Sequence, residues 1–150
     1  MELSFIDRLV DTKGAKRTAN EWEHARELRA TLCRDLSDLL NTRRAERDFD
    51  ASFDEATNSI LSYGIPDFTQ YDLKNTAEQE RVRISIERAV RQFEPRLTRV
   101  RVTLEPPNPV NPTLRFQIEA QLRDEGDTED VLFDAMVQRE SRRFSVSGVE

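Results

Sequence analysis

A chain of 150 residues, 37% of them apolar and 35% charged, has the material for one buried core, but not two, under a highly charged surface, which favours a single folded domain over a disordered chain. Its formal net charge of −6 argues against general nucleic-acid binding, because counterion release needs a basic field. The single cysteine, Cys33, excludes an internal disulfide and any cysteine-cluster metal site. No run approaches the roughly 20 apolar residues of a membrane helix. The opening MELSFIDRLVDTKGAKR has neither the basic flank nor the long apolar stretch of a signal peptide, so a cytoplasmic protein is expected.

In chain order, Leu3, Phe5, Ile6, Leu9 and Val10 form an apolar cluster introduced by Ser4 with Asp7 three residues on, a capping-box-like start for a short helix. One or two turns cannot persist alone in water, so this segment must pack on the core or on another protein. From Asp11 to Asn20 there is no large apolar residue, and the stretch reads as a linker. The expected organisation is therefore a docking segment and linker over residues 1–20, followed by one domain over 21–150.

Asn20 is a plausible N-cap. From Trp22 to about Arg44 the positions Trp22, Ala25, Leu28, Leu32, Leu36, Leu39 and Leu40 recur at spacings of three and four, an amphipathic helix whose other face carries Glu23, Glu27, Asp35 and Asp38. Ala45 to Tyr63 permits a short helix through Phe53, Ala56, Ile60 and Leu61, and Tyr63-Gly64-Ile65-Pro66-Asp67 supplies a turn. A second helix starts near Asn75, with Glu78 as capping partner and the stripe Val82, Ile86, Ala89, Val90, Phe93; Pro95 ends it and forces Glu94 out of the helical region.

The period then changes to two. Val100, Val102 and Leu104 alternate with polar residues, as do Leu114, Phe116, Ile118, Ala120 and Leu122, predicting two half-buried strands joined by the proline-rich stretch Glu105 to Pro112. After an acidic turn from Asp124 to Asp130, a third strand fits Val131 to Gln138, and Phe144 and Val146 predict a fourth. Helices first and adjacent strands after define an α+β class, with two long amphipathic helices packed on one face of a small antiparallel sheet of three or four strands. The terminal strand is expected to leave an edge that another chain can complete.

Glu94 and Arg96 stand two apart in a stretch predicted to be extended, so their side chains should project to one side with Pro95 stiffening the backbone between them. As residues alone they are a small two-signed patch or a local ion pair. Arg43, Arg44 and Arg47 follow a helix C-terminus, where the macrodipole favours positive charge. His24 and Cys33 fit packing or surface roles, no spacing resembles a zinc site, and no cofactor is implied. A glycosidase would need two carboxyl groups facing each other across a cleft; among 29 acidic residues none is singled out, Glu94 with Asp67 being the least arbitrary pair. There is no Gly-rich phosphate loop and no Gly-x-Ser-x-Gly elbow.

Phe93-Glu94-Pro95-Arg96-Leu97, a helix running straight into a strand, resembles the lysozyme-like baseplate-wedge family of contractile phage tails. Four further stretches resemble its type VI secretion branch in the same order: Ser4 to Leu9, Asp35 to Arg44, Ser59 to Phe68, and the alternating strands after Arg96. Ser37-Asp38 before Leu39 departs slightly from the pattern. The resemblance implies a structural protein and not an enzyme, set beside the TssF and TssG wedge subunits and the first ring of the TssB/TssC sheath, and linked to TssK through a baseplate docked at the inner membrane. It implies a fold related to the sheath's interlocking domain, able to start sheath polymerisation by sharing strands. It also turns Glu94, Pro95 and Arg96 into candidate partner-binding residues. Phe5, Ile6 and Leu9 are a candidate docking helix on their own account, because the segment is too short to stand alone and the polar linker lets it reach outward, against the alternative that they cover the domain's own core. The equivalent wedge protein of a phage tail or extracellular injection particle is the alternative role, and a peptidoglycan-cleaving enzyme the remote one.

Overall fold

The computed structural model describes residues 12–44, 63–106, 109–110, 113–124, 126–138 and 140–149, and among these two helices precede a four-stranded antiparallel sheet. The predicted segments at Ser4–Val10 and Ala45–Leu61, with Phe5, Ile6, Leu9 and Arg47, lie outside the described residues.

Helix α1 runs Thr12–Asn41. Its start corrects the expected linker: Asn20 lies inside the helix and caps nothing. Ala15, Lys16, Arg17 and Ala19 are good helix formers, so the absence of large apolar residues removes a buried stripe without breaking the helix. Trp22, expected on the apolar stripe, is 74% exposed, whereas Leu32, Leu36, Leu39 and Leu40 are buried. The chain divides within α1 into two units, Met1–Leu32 and Cys33–Glu150; everything that follows concerns the second.

Helix α2 runs Thr76–Phe93 and starts where the sequence predicts, with the Asn75 side chain accepting a hydrogen bond from the Ala77 amide. Glu78 does not complete a capping box; it accepts from the Asp72 amide and secures the preceding turn. Val82, Ile86, Ala89 and Val90 are the buried stripe.

The strands are β1 Leu97–Leu104, β2 Leu114–Asp124, β3 Asp127–Val137 and β4 Phe144–Val149, neighbours in that order and all antiparallel. The acidic segment expected as a turn is largely strand: Asp124 pairs with Asp127, and Gly126 at φ +96° gives the tight reversal. Asp127 to Asp130 are thus exposed residues of β3.

In β1 both Leu97 and Val100 are buried despite opposite parity, because the register shifts between Thr98 and Arg101 and places an extra residue on β1. Arg99, at φ 52°, sits in this bulge. On β2 and β3 the alternation is unbroken: Phe116, Ile118, Ala120 and Leu122, then Val131, Phe133, Ala135 and Val137. Phe68 meets Phe144 edge-on at 5.5 Å between centroids, and Phe116 lies 6.4 Å from Phe144, so an aromatic cluster closes the start of β4.

Candidate docking corner at the end of the second helix

Glu94 is the C-cap of α2: its amide still donates to the Val90 carbonyl while its own φ, ψ of −118°, 84° have left the helical region. Pro95 and Arg96 then form a turn closed by the Leu97 amide on the Glu94 carbonyl, which corrects the expectation of an extended stretch. The two charged side chains do meet, but Glu94 is only 5% exposed. Arg96 grips its carboxylate from two sides, Nε to Oε1 at 2.6 Å and Nη2 to Oε2 at 2.7 Å.

Arg96 Nη2 also donates to Asp35 Oδ2 on α1, at 2.6 Å across 61 residues of sequence. The hydrogen bonds from Arg96 to Glu94, reinforced by Asp35, hold the guanidinium well above its ordinary pKa. Sequence reasoning had assigned Asp35 to the solvated face of α1. It lay within a quoted stretch, yet nothing local distinguishes it from Asp38.

Beside this clamp is a recess of about 390 Å³ lined by Asp35, Asp38, Tyr63, Phe93, Glu94 and Arg96 among others. Tyr63 and Phe93 form its aromatic wall, edge to face at 5.2 Å. Burial pushes the Tyr63 phenol up, and Asp38, Asp35 and Glu94 add to the shift. Glu94 and Asp67, the carboxylate pair considered above, have separate partners: Glu94 is held by Arg96, and exposed Asp67 lies 3.9 Å from Arg43.

Asn41, which the sequence did not single out, and Arg43, read only as a helix-end charge, tie the end of α1 to the segment around the start of β4. Asn41 donates through Nδ2 to the Phe144 carbonyl at 3.0 Å and accepts from the Phe144 amide at 2.7 Å, pairing with that residue as a strand neighbour would. Arg43 donates to the carbonyls of Arg142 and Leu40 and stacks 4.3 Å over the Phe68 ring. The macrodipole account of Arg43 was therefore incomplete: its planar fork crosslinks three segments.

Gly64 explains why this stitching needs glycine. At φ +104° its missing Cβ would lie 2.3 Å from the Thr42 carbonyl oxygen, which accepts from the Ile65 amide. Stretches quoted separately for the resemblance thus converge, Thr42–Arg44 against Gly64–Phe68 and Asp35 against Glu94–Arg96.

Neither outer strand offers a wholly free edge. On β1, Arg83 donates to the Val102 carbonyl, Arg91 donates to that of Val100, and Glu87 accepts from the Val102 amide. On β4, Asn41 fills both main-chain groups of Phe144, and the Gly148 main chain bonds the Cys33 thiol. Among the described residues β3 runs past its outer neighbour, since β4 pairs with Leu132 to Val137 and leaves Asp127 to Val131 beyond it. Among the described residues no group of three or more His, Cys, Asp or Glu could hold a metal ion, and no helix is long and apolar enough to cross a membrane.

An α+β block whose most buried charge is tied into an interlocking ion cluster is the build of a scaffold domain. Over residues 26–127, about two thirds of the chain, the sequence matches the model of the family described as baseplate wedge protein gp25. The chain belongs to that family, and so is a structural baseplate component that meets other baseplate components. No curated protein and no solved structure matches it. The matched span contains Asp35, Asn41, Arg43, Gly64 and the whole Glu94–Arg96 corner.

Proposed function

We propose that this chain is the small wedge subunit, TssE, of a type VI secretion baseplate, a passive structural part and not an enzyme. It joins the TssF/TssG wedge, meets TssK through the baseplate, and helps to start the TssB/TssC sheath in the cytoplasm beneath the inner membrane. Its fold, with long helices on one face of the sheet, is related to the sheath's interlocking domain. The observation that carries the proposal is the family match extending across the corner that Asp35, Glu94 and Arg96 hold rigid.

In this reading the corner orients the subunit, with Pro95 exposed at its tip and the half-exposed Arg96 available to a partner. Phe5, Ile6 and Leu9 supply the N-terminal docking contact. Sheet completion uses the part of β3 that outruns β4, since the outer main-chain groups of β1 are already engaged at Val100 and Val102. Co-purification with TssF and TssG tests the assignment. Retention of the tagged chain with both supports it, and loss of that association on deleting residues 1–12, with an unchanged melting temperature, assigns the docking to the N-terminal segment. Cells in which Glu94→Ala and Arg96→Ala variants stay folded and still assemble sheaths would remove the corner from the mechanism. Purified protein that clears a cell-wall suspension, with activity lost in Glu94→Gln, would overturn the non-enzymatic reading.

A further inference from the structure

An open groove of about 790 Å³ lies between α2 and β1. Four arginines line it, Arg83, Arg91, Arg99 and Arg101, with Glu80 and Glu87. Both glutamates are committed: Glu80 pairs with Arg83 at 2.6 Å, and Glu87 with Arg83 and Arg91 at 3.1 Å each. Arg99 and Arg101 are exposed and, among the described residues, form no ion pair. On a chain of net charge −6 this groove is a local positive field.

The opposite charge is concentrated elsewhere on the same sheet. The β2–β3 hairpin runs beyond both neighbours: on one side the last main-chain bond is from the Arg123 amide to the Arg96 carbonyl, and on the other β4 pairing ends at Val149 with Leu132. Its projecting end carries Asp124, Asp127, Glu129 and Asp130 against the single Arg123, an acidic excess. It lies well along the sheet from the Arg101 end of its own groove. Arg101 and Thr103 pair with Glu119 and Gln117, five and seven residues along β2 from Asp124. At about 3.4 Å per residue that is roughly 17–24 Å of paired strand.

We propose that the arginine groove of one molecule binds the acidic β2–β3 hairpin end of a second copy of this chain, with Arg99 and Arg101 as the selecting residues. Donor and acceptor surfaces differ, so the contact is head-to-tail and leaves each copy able to bind another, which builds a ring or an open chain. The attraction between exposed charges makes it strongly dependent on salt. This contact does not depend on the assignment to a secretion baseplate.

Sedimentation of the purified full chain over a concentration series, in about 50 mM and about 500 mM salt, reads the association directly. The wild type is expected to self-associate at low salt and to dissociate at high salt. The double variants R99E/R101E and D127K/E129K should each weaken association by about tenfold or more. Mixed together, the two should associate again, because a reversed groove then meets a reversed hairpin. Circular dichroism of each variant checks the fold, and R99Q/R101Q serves in its place should charge reversal unfold the chain. A wild type that remains monomeric throughout the low-salt series overturns the proposal. So does self-association unchanged by either reversal, or a mixture that fails to recover.

Discussion

Glu94 is 5% exposed and depends on Arg96, so Arg96→Ala leaves a carboxylate buried without its cation. Because the Arg96 side chain is itself a third exposed, the expected loss sits below that of a fully buried pair, at about 2–3 kcal/mol in urea denaturation. Arg96→Lys should recover less than half, since an ammonium cannot serve both Glu94 oxygens and Asp35 together. At Asn41 the alanine substitution deprives the Phe144 amide and carbonyl of their partner at once, for an expected loss of about 2 kcal/mol. Tyr63 carries a pH prediction. Burial, helped by three carboxylates, raises its folded pKa above the ordinary 10.0. Its contribution is therefore fully present below pH 10 and is lost as pH rises through the folded value. Stability measured from pH 8 to 11 should fall more steeply in the wild type than in Tyr63→Phe.

Turns and bulges matter more than propensity at the scale of elements. Gly64 and Gly126 both have positive φ, yet a Cβ at Gly126 meets nothing within 4 Å, whereas at Gly64 it strikes the Thr42 carbonyl. Gly126→Ala should cost about 1 kcal/mol, the price of the backbone conformation alone. Gly64→Ala should cost about 3 kcal/mol or more, because the clash also pushes apart the Thr42–Ile65 hydrogen bond. Comparing melting temperatures of the two variants separates strain from close approach. The helices show a different limit of local information. Asn75, Val82, Ile86, Ala89 and Val90 fell where periodicity put them, while α1 began at Thr12 because helix formers without an apolar stripe look like a linker in sequence. The acidic run Asp124–Asp130 was read as a turn for the same reason: exposed strand residues carry no alternating signal.

For the molecule as a whole, the strands form a meander of near neighbours, and a 103-residue tie runs from Asn41 to Phe144. Such a contact forms late, so Asn41→Ala should speed unfolding by about tenfold or more in stopped-flow denaturant jumps and leave the refolding rate within about twofold. The α+β class, α2, the four strands and the end of α2 before Pro95 were legible in the chain itself, because repeat spacing and proline act within a few residues of where they stand. Glu94 could not be recognised as a buried charge from its neighbours. Nor could Asp35 be told from Asp38, Asn41 be matched with Phe144, or the outer groups of β1 be seen as already engaged by Arg83, Glu87 and Arg91. Those facts belong to pairs far apart along the backbone, and a carboxylate or amide has no partner, and so no role, until folding brings one within hydrogen-bond reach.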